Sequence, residues 1–287
     1  MTDIPQKIKS GLGWLMSKVG LTLAIVGMGT LLVMLVHRRI YAHLLNNEDY
    51  MVDLDQLAVV TRPAWAGAGI ERGLTEVAPL TGRVSIFDEN LVPALVEYYE
   101  SNPWVAQVVS VEKEYPATVR VRVRLRKPLA AVENRGYCYL VDRDGVRLPG
   151  KYAHENLPRL PFYVPKVIGV TAPPPEPGSC WDDAAVLAGT TVAEVLVDQG
   201  VDKMMHIVAI DVANVNGRIN RGESEVTIWA EENVPIQWGR APSTDKYGEL
   251  DVDQKIRNLK LILMGAPRLR GLKLVKLQFQ RPTVATK

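Results

Sequence analysis

The hydrophobic pattern of the chain is most regular near its amino end. Eighteen uncharged, mostly apolar residues run from Val19 to Val36, and His37, Arg38 and Arg39 follow directly. A helix rises about 1.5 Å per residue, so this run is just long enough to cross a hydrocarbon core of about 30 Å. A secretory signal peptide is the alternative, but its apolar stretch covers roughly 7 to 15 residues and ends at a small-residue cleavage site. We therefore predict a retained transmembrane helix over residues 19–37.

The charges that flank this run bear on its orientation in the membrane. Three lysines precede the run and two arginines follow it, so the positive-inside rule leans slightly toward a cytoplasmic N-terminus. A short tail ahead of a signal anchor usually stays inside while the long C-terminal part is exported. We expect residues 1–18 to form a cytoplasmic tail, the protein to cross a membrane once, and the long C-terminal part to be exported.

Residues 50–130 show the order strand, helical region, helix, strand, strand, which predicts a small α+β domain. Residues 50–60 predict a first strand. The Pro-, Gly- and Ala-rich stretch 63–82 fits either a loop or a weak helix. Asp88 is a suitable N-cap for a helix that ends at Asn102-Pro103, and the helical spacing of its apolar residues requires one buried face.

A hairpin and an alternating strand complete this domain. Strands at 104–114 and 117–126 are predicted to pair antiparallel through Tyr115-Pro116. Residues two apart in a strand share a face, and the second strand alternates strictly between apolar and cationic side chains. The apolar face is Val119, Val121, Val123 and Leu125, and the arginine row on the other face is Arg120, Arg122, Arg124 and Arg126. This strand should be half buried, and its arginine row either is a solvated face or meets lipid head groups or an acidic partner.

Residues 131–287 are richer in strand patterns and predict a β domain with a late helix. A polar turn at 142–145, in which Gly145 can adopt a positive φ, joins strands at 137–141 and 146–148. The apolar alternation of the last strand slips, as if a bulge lay near Leu274. The further predicted elements are an extended segment (161–170), a helix (183–199), three strands (207–212, 225–230 and 235–238), a capped helix (253–264) and the last strand (272–280).

Composition limits the classes of function. The 287 residues are 23% charged and 47% hydrophobic, which is typical of globular domains rather than of disorder. The net charge of +2 gives no general attraction to nucleic acid. Cys138 and Cys180 are too few for a disulfide framework or a four-ligand zinc site, and whether they pair is left open.

The sequence carries no motif that indicates catalysis. It lacks HExxH, P-loop, GxSxG and paired-cysteine patterns, and its four histidines are scattered. Asp142 and Asp144 lack the glycine and the glutamate that complete a calcium loop, so they indicate a polar hairpin turn. We therefore predict a protein that is not an enzyme and that uses no cofactor, metal, nucleic acid or small-molecule substrate.

Several motifs together resemble the FtsQ/DivIB family of bacterial cell-division proteins. In chain order they are Ser85-Ile-Phe-Asp88, Asn102-Pro-Trp-Val105, Val111 to Tyr115-Pro116, Lys127-Pro128-Leu-Ala130 and Leu140-Val-Asp-Arg-Asp-Gly145. They stand in the order and at the spacing of the family pattern. The similarity is firm over residues 85–148 and continues more weakly through Ile236-Gln-Trp-Gly239 to the last strand.

The resemblance implies both a fold and a function. The fold would be α+β, with one membrane helix, a POTRA-like β-α-α-β-β domain over 50–130 and an FtsQ-type β domain over 131–287. The family's members are non-enzymatic scaffolds of septum assembly that collect partners such as FtsB and FtsL on their exported face. The resemblance therefore implies that this chain lies in the cell inner (plasma) membrane at the division site, with its C-terminal domains periplasmic or extracytoplasmic. The alternative is a POTRA-bearing component of a protein transport or secretion system, although such proteins usually carry repeated POTRA units or a terminal membrane barrel.

The last predicted strand is the candidate partner-binding site. A strand at the edge of a sheet has unpaired backbone groups onto which a partner strand can add. Two lysines in this strand would discourage indiscriminate pairing and would favour an acidic partner segment. The candidate residues are Leu272, Lys273, Leu274, Val275, Lys276, Leu277 and Phe279.

Overall fold

The protein has a mixed α+β fold with an apolar N-terminal helix and a strand-rich C-terminal part. The structure is a computed structural model and describes residues 6–59, 63, 65–66, 80–158, 160–240, 242, 248–279 and 281–286. The chain divides into two compact units. The first comprises Met1–Ala58, Leu80–Leu95 and Val111–Val121, and the second comprises Val59–Pro79, Val96–Ser110 and Arg122–Lys287.

Helix α1, Gln6–Asn46, contains the predicted span and continues beyond it. The apolar side chains between Val19 and Val36 are exposed, as expected for a helix that is surrounded by lipid. Among the described residues this is the one helix long and apolar enough to cross a membrane, and a signal sequence near an N-terminus would meet the same criterion.

The predicted first strand, 50–60, is broken in two, so that prediction is wrong in detail. Strand β1, Met51–Asp53, pairs antiparallel with β3, Arg83–Ser85, whereas β2 is Ala58–Val59. A 3-10 turn, Leu54–Gln56, separates β1 from β2, because the Asp53 side chain accepts a hydrogen bond from the amide of Asp55. Such a local bond competes with continued strand pairing. Most of the stretch 63–82 lies outside the described residues.

Helix α2, Leu91–Glu100, confirms the predicted helix and buries Leu91 and Leu95. It begins later than the predicted cap, because the Asp88 side chain accepts a hydrogen bond from the amide of Asn90 and forms a turn ahead of the helix. The hairpin that follows is β4, Val105–Glu114, and β5, Thr118–Leu125. With β2 they form a three-stranded sheet in the order β2-β5-β4. The alternation of β5 is confirmed, since its four apolar residues are buried and its arginines are exposed.

The C-terminal part is built on a nine-stranded mixed sheet within the described residues. Its strands are β6 Ala130–Asn134, β7 Tyr137–Val141, β8 Tyr152–Ala153, β9 Lys166–Ile168, β10 Ile207–Asp211, β11 Val226–Ala230, β12 Val234–Gly239, β13 Leu272–Lys276 and β14 Thr283–Thr286. They lie in the order β14-β13-β12-β11-β10-β9-β6-β7-β8. Val146 and Arg147, where a strand is predicted, form isolated bridges to Cys180 and Val141 instead.

Two helices supply most of the cover for this sheet. Helix α3, Ala184–Asp198, is capped by the Asp183 side chain, and α4, Val252–Gly265, is capped by that of Asp251. The predicted inward residues of α4, Ile256, Leu259 and Leu263, are all buried. Short 3-10 turns also lie at Glu48–Tyr50, His154–Asn156, Val201–Lys203, Val215–Gly217, Glu231–Asn233 and Pro267–Leu269.

Gly189 allows α3 to lie close to the sheet. A Cβ atom at this position would lie 2.4 Å from a methyl group of Val167 in β9, which is far inside van der Waals contact. Val167 is fully buried and has little room to move. The absence of a side chain at Gly189 therefore sets the distance between helix and sheet.

Replacing this glycine provides a test of the packing. Gly→Ala in a helix ordinarily stabilises by about 1 kcal/mol, but we expect Gly189→Ala to destabilise the protein by about 1 to 3 kcal/mol through overpacking. Gly265→Ala, at the end of α4, is the matched control because nothing lies within 4 Å of its added Cβ. Thermal unfolding of the full-length protein in detergent would measure both. A Gly189→Ala variant at least as stable as the Gly265→Ala variant would contradict the close approach.

Candidate partner-binding surface

The predicted partner strand lies one position in from the edge of the sheet. On one side β13 pairs parallel with β12, with Val275 opposite Ile236. On the other side it pairs antiparallel with β14, with Val275 opposite Val284. The prediction that 272–280 is the edge strand is therefore wrong, because the chain reverses at Pro282 and returns along β13.

The seven candidate residues serve different purposes in the fold. Leu272, Val275 and Leu277 are buried in the core of the second unit. Leu274 and Lys276 are half-buried, Lys273 is exposed, and Phe279 is 53% exposed. The pairing with β14 is irregular between Leu272 and Leu274, where the sequence alternation slips, and this irregularity turns Leu272 and Val275 to the same face.

Strand β14 is the edge that sequence reasoning missed. All four of its residues, Thr283–Thr286, are exposed, and its outer side has no strand partner among the described residues. The signal in the sequence is short, but Thr-Val-Ala-Thr after a proline contains three β-branched residues, which are favoured in strands. The strand itself carries no charged side chain, whereas exposed edges are commonly protected by charge.

The electrostatic character of this edge is basic. Residues 272–287 contain four basic residues and no acidic one. Lys273, near the start of β13, and Arg281, ahead of β14, are both exposed. An acidic segment laid along β14 would therefore meet complementary charge, which favours encounter and disfavours neutral or basic competitors.

A polar cavity of about 560 Å³ lies beside Phe279 and Gln278. Its wall includes Glu249, whose carboxylate accepts a hydrogen bond from the Lys255 ammonium at 2.7 Å and another from the backbone amide of Arg240. Lys255 is almost fully buried in this ion pair. The cavity wall carries side chains of both charge signs, Arg221 and Arg240 as well as Glu223, Glu225 and Glu249, so it favours no single charge of ligand.

Two arginines of the arginine row form ion pairs with carboxylates of the same chain. Arg120 forms a salt bridge with Glu114 at 2.9 Å, and both side chains are about half exposed. Arg126 donates to the buried Asp142 at 2.8 Å. These pairs favour the reading of the row as a solvated, ion-paired face over a free cationic stripe.

A thiol, an imidazole and a carboxylate stand in a row at the opposite edge of the sheet. Cys138 Sγ lies 3.8 Å from His154 Nδ1, and His154 Nε2 lies 3.0 Å from a carboxylate oxygen of Glu133. Nucleophilic cysteines use such an order of groups. Cys138 is fully buried, however, and burial raises the pKa of its thiol, an effect that Lys166 opposes and Glu133 reinforces. A buried, protonated thiol is a poor nucleophile.

The described residues offer no clear centre for metal or redox chemistry. They contain no group of three or more His, Cys, Asp or Glu side chains placed to bind a metal ion. Cys138 and Cys180 are both free thiols, one buried and the other exposed.

Comparison of the chain with known proteins gives no match to any family model and no significant match to a curated protein.

Two alanine substitutions can test which candidate residues stabilise the core and which are free to contact a partner. Leu277 is fully buried, so Leu277→Ala should cost about 2 to 5 kcal/mol of stability. Phe279 is largely exposed, so Phe279→Ala should change stability by only about 0.5 kcal/mol. Thermal unfolding monitored by circular dichroism would separate the two. Equal losses would show that Phe279 belongs to the core, and it could then not serve as a contact residue.

Proposed function

We propose that this chain is a non-enzymatic, single-pass membrane scaffold of the bacterial division machinery that recruits partners resembling FtsB and FtsL through its exported part. The observation that carries the proposal is the open edge of β14 on a chain that also has a membrane-spanning candidate helix. The motif resemblance over residues 85–148 supports the family. The order of α2, β4 and β5 fits the later half of a POTRA unit.

Strand addition is the binding mode that this edge supports best. A partner strand beside β14 would satisfy backbone donors and acceptors that otherwise face water, and main-chain hydrogen bonds supply affinity in this mode. Specificity then comes from side chains that flank the strand. Here those are Lys273 and Arg281, which suit an acidic partner segment, and Phe279, which offers an exposed ring.

A single anchor places such an edge where bitopic partners are confined. Two proteins held in the same bilayer meet at a high effective concentration, so a short added strand can bind usefully although its own contact area is small. The scaffold needs no catalytic group for this role. Its contribution is to offer a sheet edge on a chain that is tethered to the membrane.

The topology of this proposal predicts which end of the chain a protease can reach. A C-terminal tag should be removed by protease added to intact spheroplasts, because residues from about Tyr41 onward are exported. An N-terminal tag on the same protein is the control and should stay protected until the membrane is lysed. Protection of the C-terminal tag in intact spheroplasts would contradict the proposed orientation.

The recruiting edge can be tested by photo-crosslinking in dividing cells. A photoreactive amino acid at Ala285 in β14 should form adducts with small single-pass division proteins. The matched control is Ala153 in β8, which is also exposed and lies at the opposite edge of the same sheet. Fluorescent fusions of both variants should still collect at the division site.

The pattern of adducts distinguishes the possible functions. Adducts at Ala285 but not at Ala153 would support strand addition at β14. Equal adducts at both positions would refute an edge-specific site. Adducts at Ala285 with translocating polypeptides, rather than with division proteins, would favour a transport component.

A further inference from the structure

The end of helix α1 is fastened to the segment that follows β3. The hydroxyl of Tyr41 donates to the backbone carbonyl of Phe87 at 3.3 Å. The hydroxyl of Ser85 donates to the backbone carbonyl of Leu44 at 3.2 Å. Both bonds lie within the first compact unit. Together they hold residues 85–87 against the last turns of the helix.

This attachment fixes the depth of Phe87 relative to the apolar run. Tyr41 is five residues beyond Val36, which is about 7.5 Å along a helix. The head-group layer on each side of the hydrocarbon core is roughly 5 to 8 Å thick. Helical side chains tilt toward the N-terminus, so the Tyr41 hydroxyl reaches back toward the apolar run. The carbonyl of Phe87 that it contacts therefore lies at the depth of the head groups.

Aromatic side chains cluster around Phe87. The Phe87 ring packs edge to face against Tyr50 at 5.0 Å between centroids, and it contacts the Tyr115 ring at 5.5 Å. Tyr115 stands at the turn between β4 and β5 and is 66% exposed. Tyrosine is enriched at membrane interfaces, because its ring is apolar and its hydroxyl is polar.

The charges around the cluster do not form a basic patch. The Lys113 ammonium donates to the carbonyls of Ile86 and Asp88, and Arg120 is paired with Glu114. Asp88 and Glu89 add negative charge beside them. Acidic and basic groups therefore lie side by side near these rings, and the aromatic rings are the groups suited to a bilayer.

From this geometry we infer that Tyr115 and Phe87 form an interfacial contact that lays the first compact unit on the outer surface of the bilayer. The occupant of this surface is lipid at the boundary between head groups and acyl chains. The inference rests on the proposed membrane anchor. It adds a second attachment point at Tyr115, about 80 residues beyond the span in sequence, that restricts how the unit can move.

Site-specific fluorescence in vesicles tests the contact. The full-length chain carrying Cys180→Ser and Ala117→Cys is labelled with an environment-sensitive dye and reconstituted into phosphatidylcholine vesicles. Cys138 is buried and is kept, and the parent without Ala117→Cys reports background labelling. A second protein carries the dye at Val33→Cys, inside the apolar run. Quenching by lipids with a nitroxide near the head group is compared with quenching by aqueous iodide.

We expect the dye at position 117 to be quenched by nitroxide lipid at least about twofold more than by iodide, because its neighbour Tyr115 holds it at the interface. Adding Tyr115→Ser should lose at least about half of the lipid quenching. The quenching should be the same in 0.5 M salt and without anionic lipid, since salt screens only charge contacts. Tyr115 is exposed, so the substitution should leave the melting temperature unchanged.

The outcomes separate this inference from the anchor on which it rests. Lipid quenching at Val33 without quenching at position 117 would overturn the interfacial contact and leave the anchor in place. No lipid quenching at either position would overturn both. Quenching at 117 that requires anionic lipid, or that survives Tyr115→Ser, would also overturn the aromatic contact.

Discussion

Backbone hydrogen bonding between strands is the constraint on which the larger sheet depends. Strand amides and carbonyls need partners on both sides unless they face water, so a sheet that does not close must end at two edges. In the described residues those edges are β8 and β14. Because β14 returns along β13, the side chains of Leu272, Val275 and Leu277 can join the core. The same return makes β14, rather than β13, the edge of the sheet on this side.

Secondary-structure elements that are specified by nearby residues could be predicted from the sequence. The strict alternation of residues 118–125 identifies a half-buried strand, because side chains in a strand point to opposite faces. Helix α4 follows from an aspartate cap, inward residues at helical spacing and a glycine at its end. The turn at residues 142–145 could be predicted because its last position needs a positive φ, which Gly145 adopts readily. Each of these signals lies within about a dozen residues of the element that it specifies.

Two kinds of feature could not be predicted. One depends on competition between local hydrogen bonds and strand pairing, and the other on contacts between residues that are far apart in sequence. Strand 50–60 breaks because one Asp53 side chain satisfies a local amide, and propensity does not reveal which bond wins. The return of β14 depends on pairing across a turn at Pro282, and four residues give too little pattern to indicate it. The sequence therefore did not identify β14, rather than β13, as the edge of the sheet. The same limit hid the cluster around Phe87, since Tyr50 and Tyr115 are far apart in sequence.

The length of α1 has a mechanical consequence. Its 41 residues form a continuous helix of about 60 Å. No loop separates the apolar run from the last turns of the helix, which hydrogen-bond to Ser85 and Phe87. A continuous helix resists twisting about its axis, because each turn is locked to the next by hydrogen bonds. If α1 spans a bilayer as proposed, a second helix that packs against one face of α1 also sets the rotational orientation of the first unit about the helix axis.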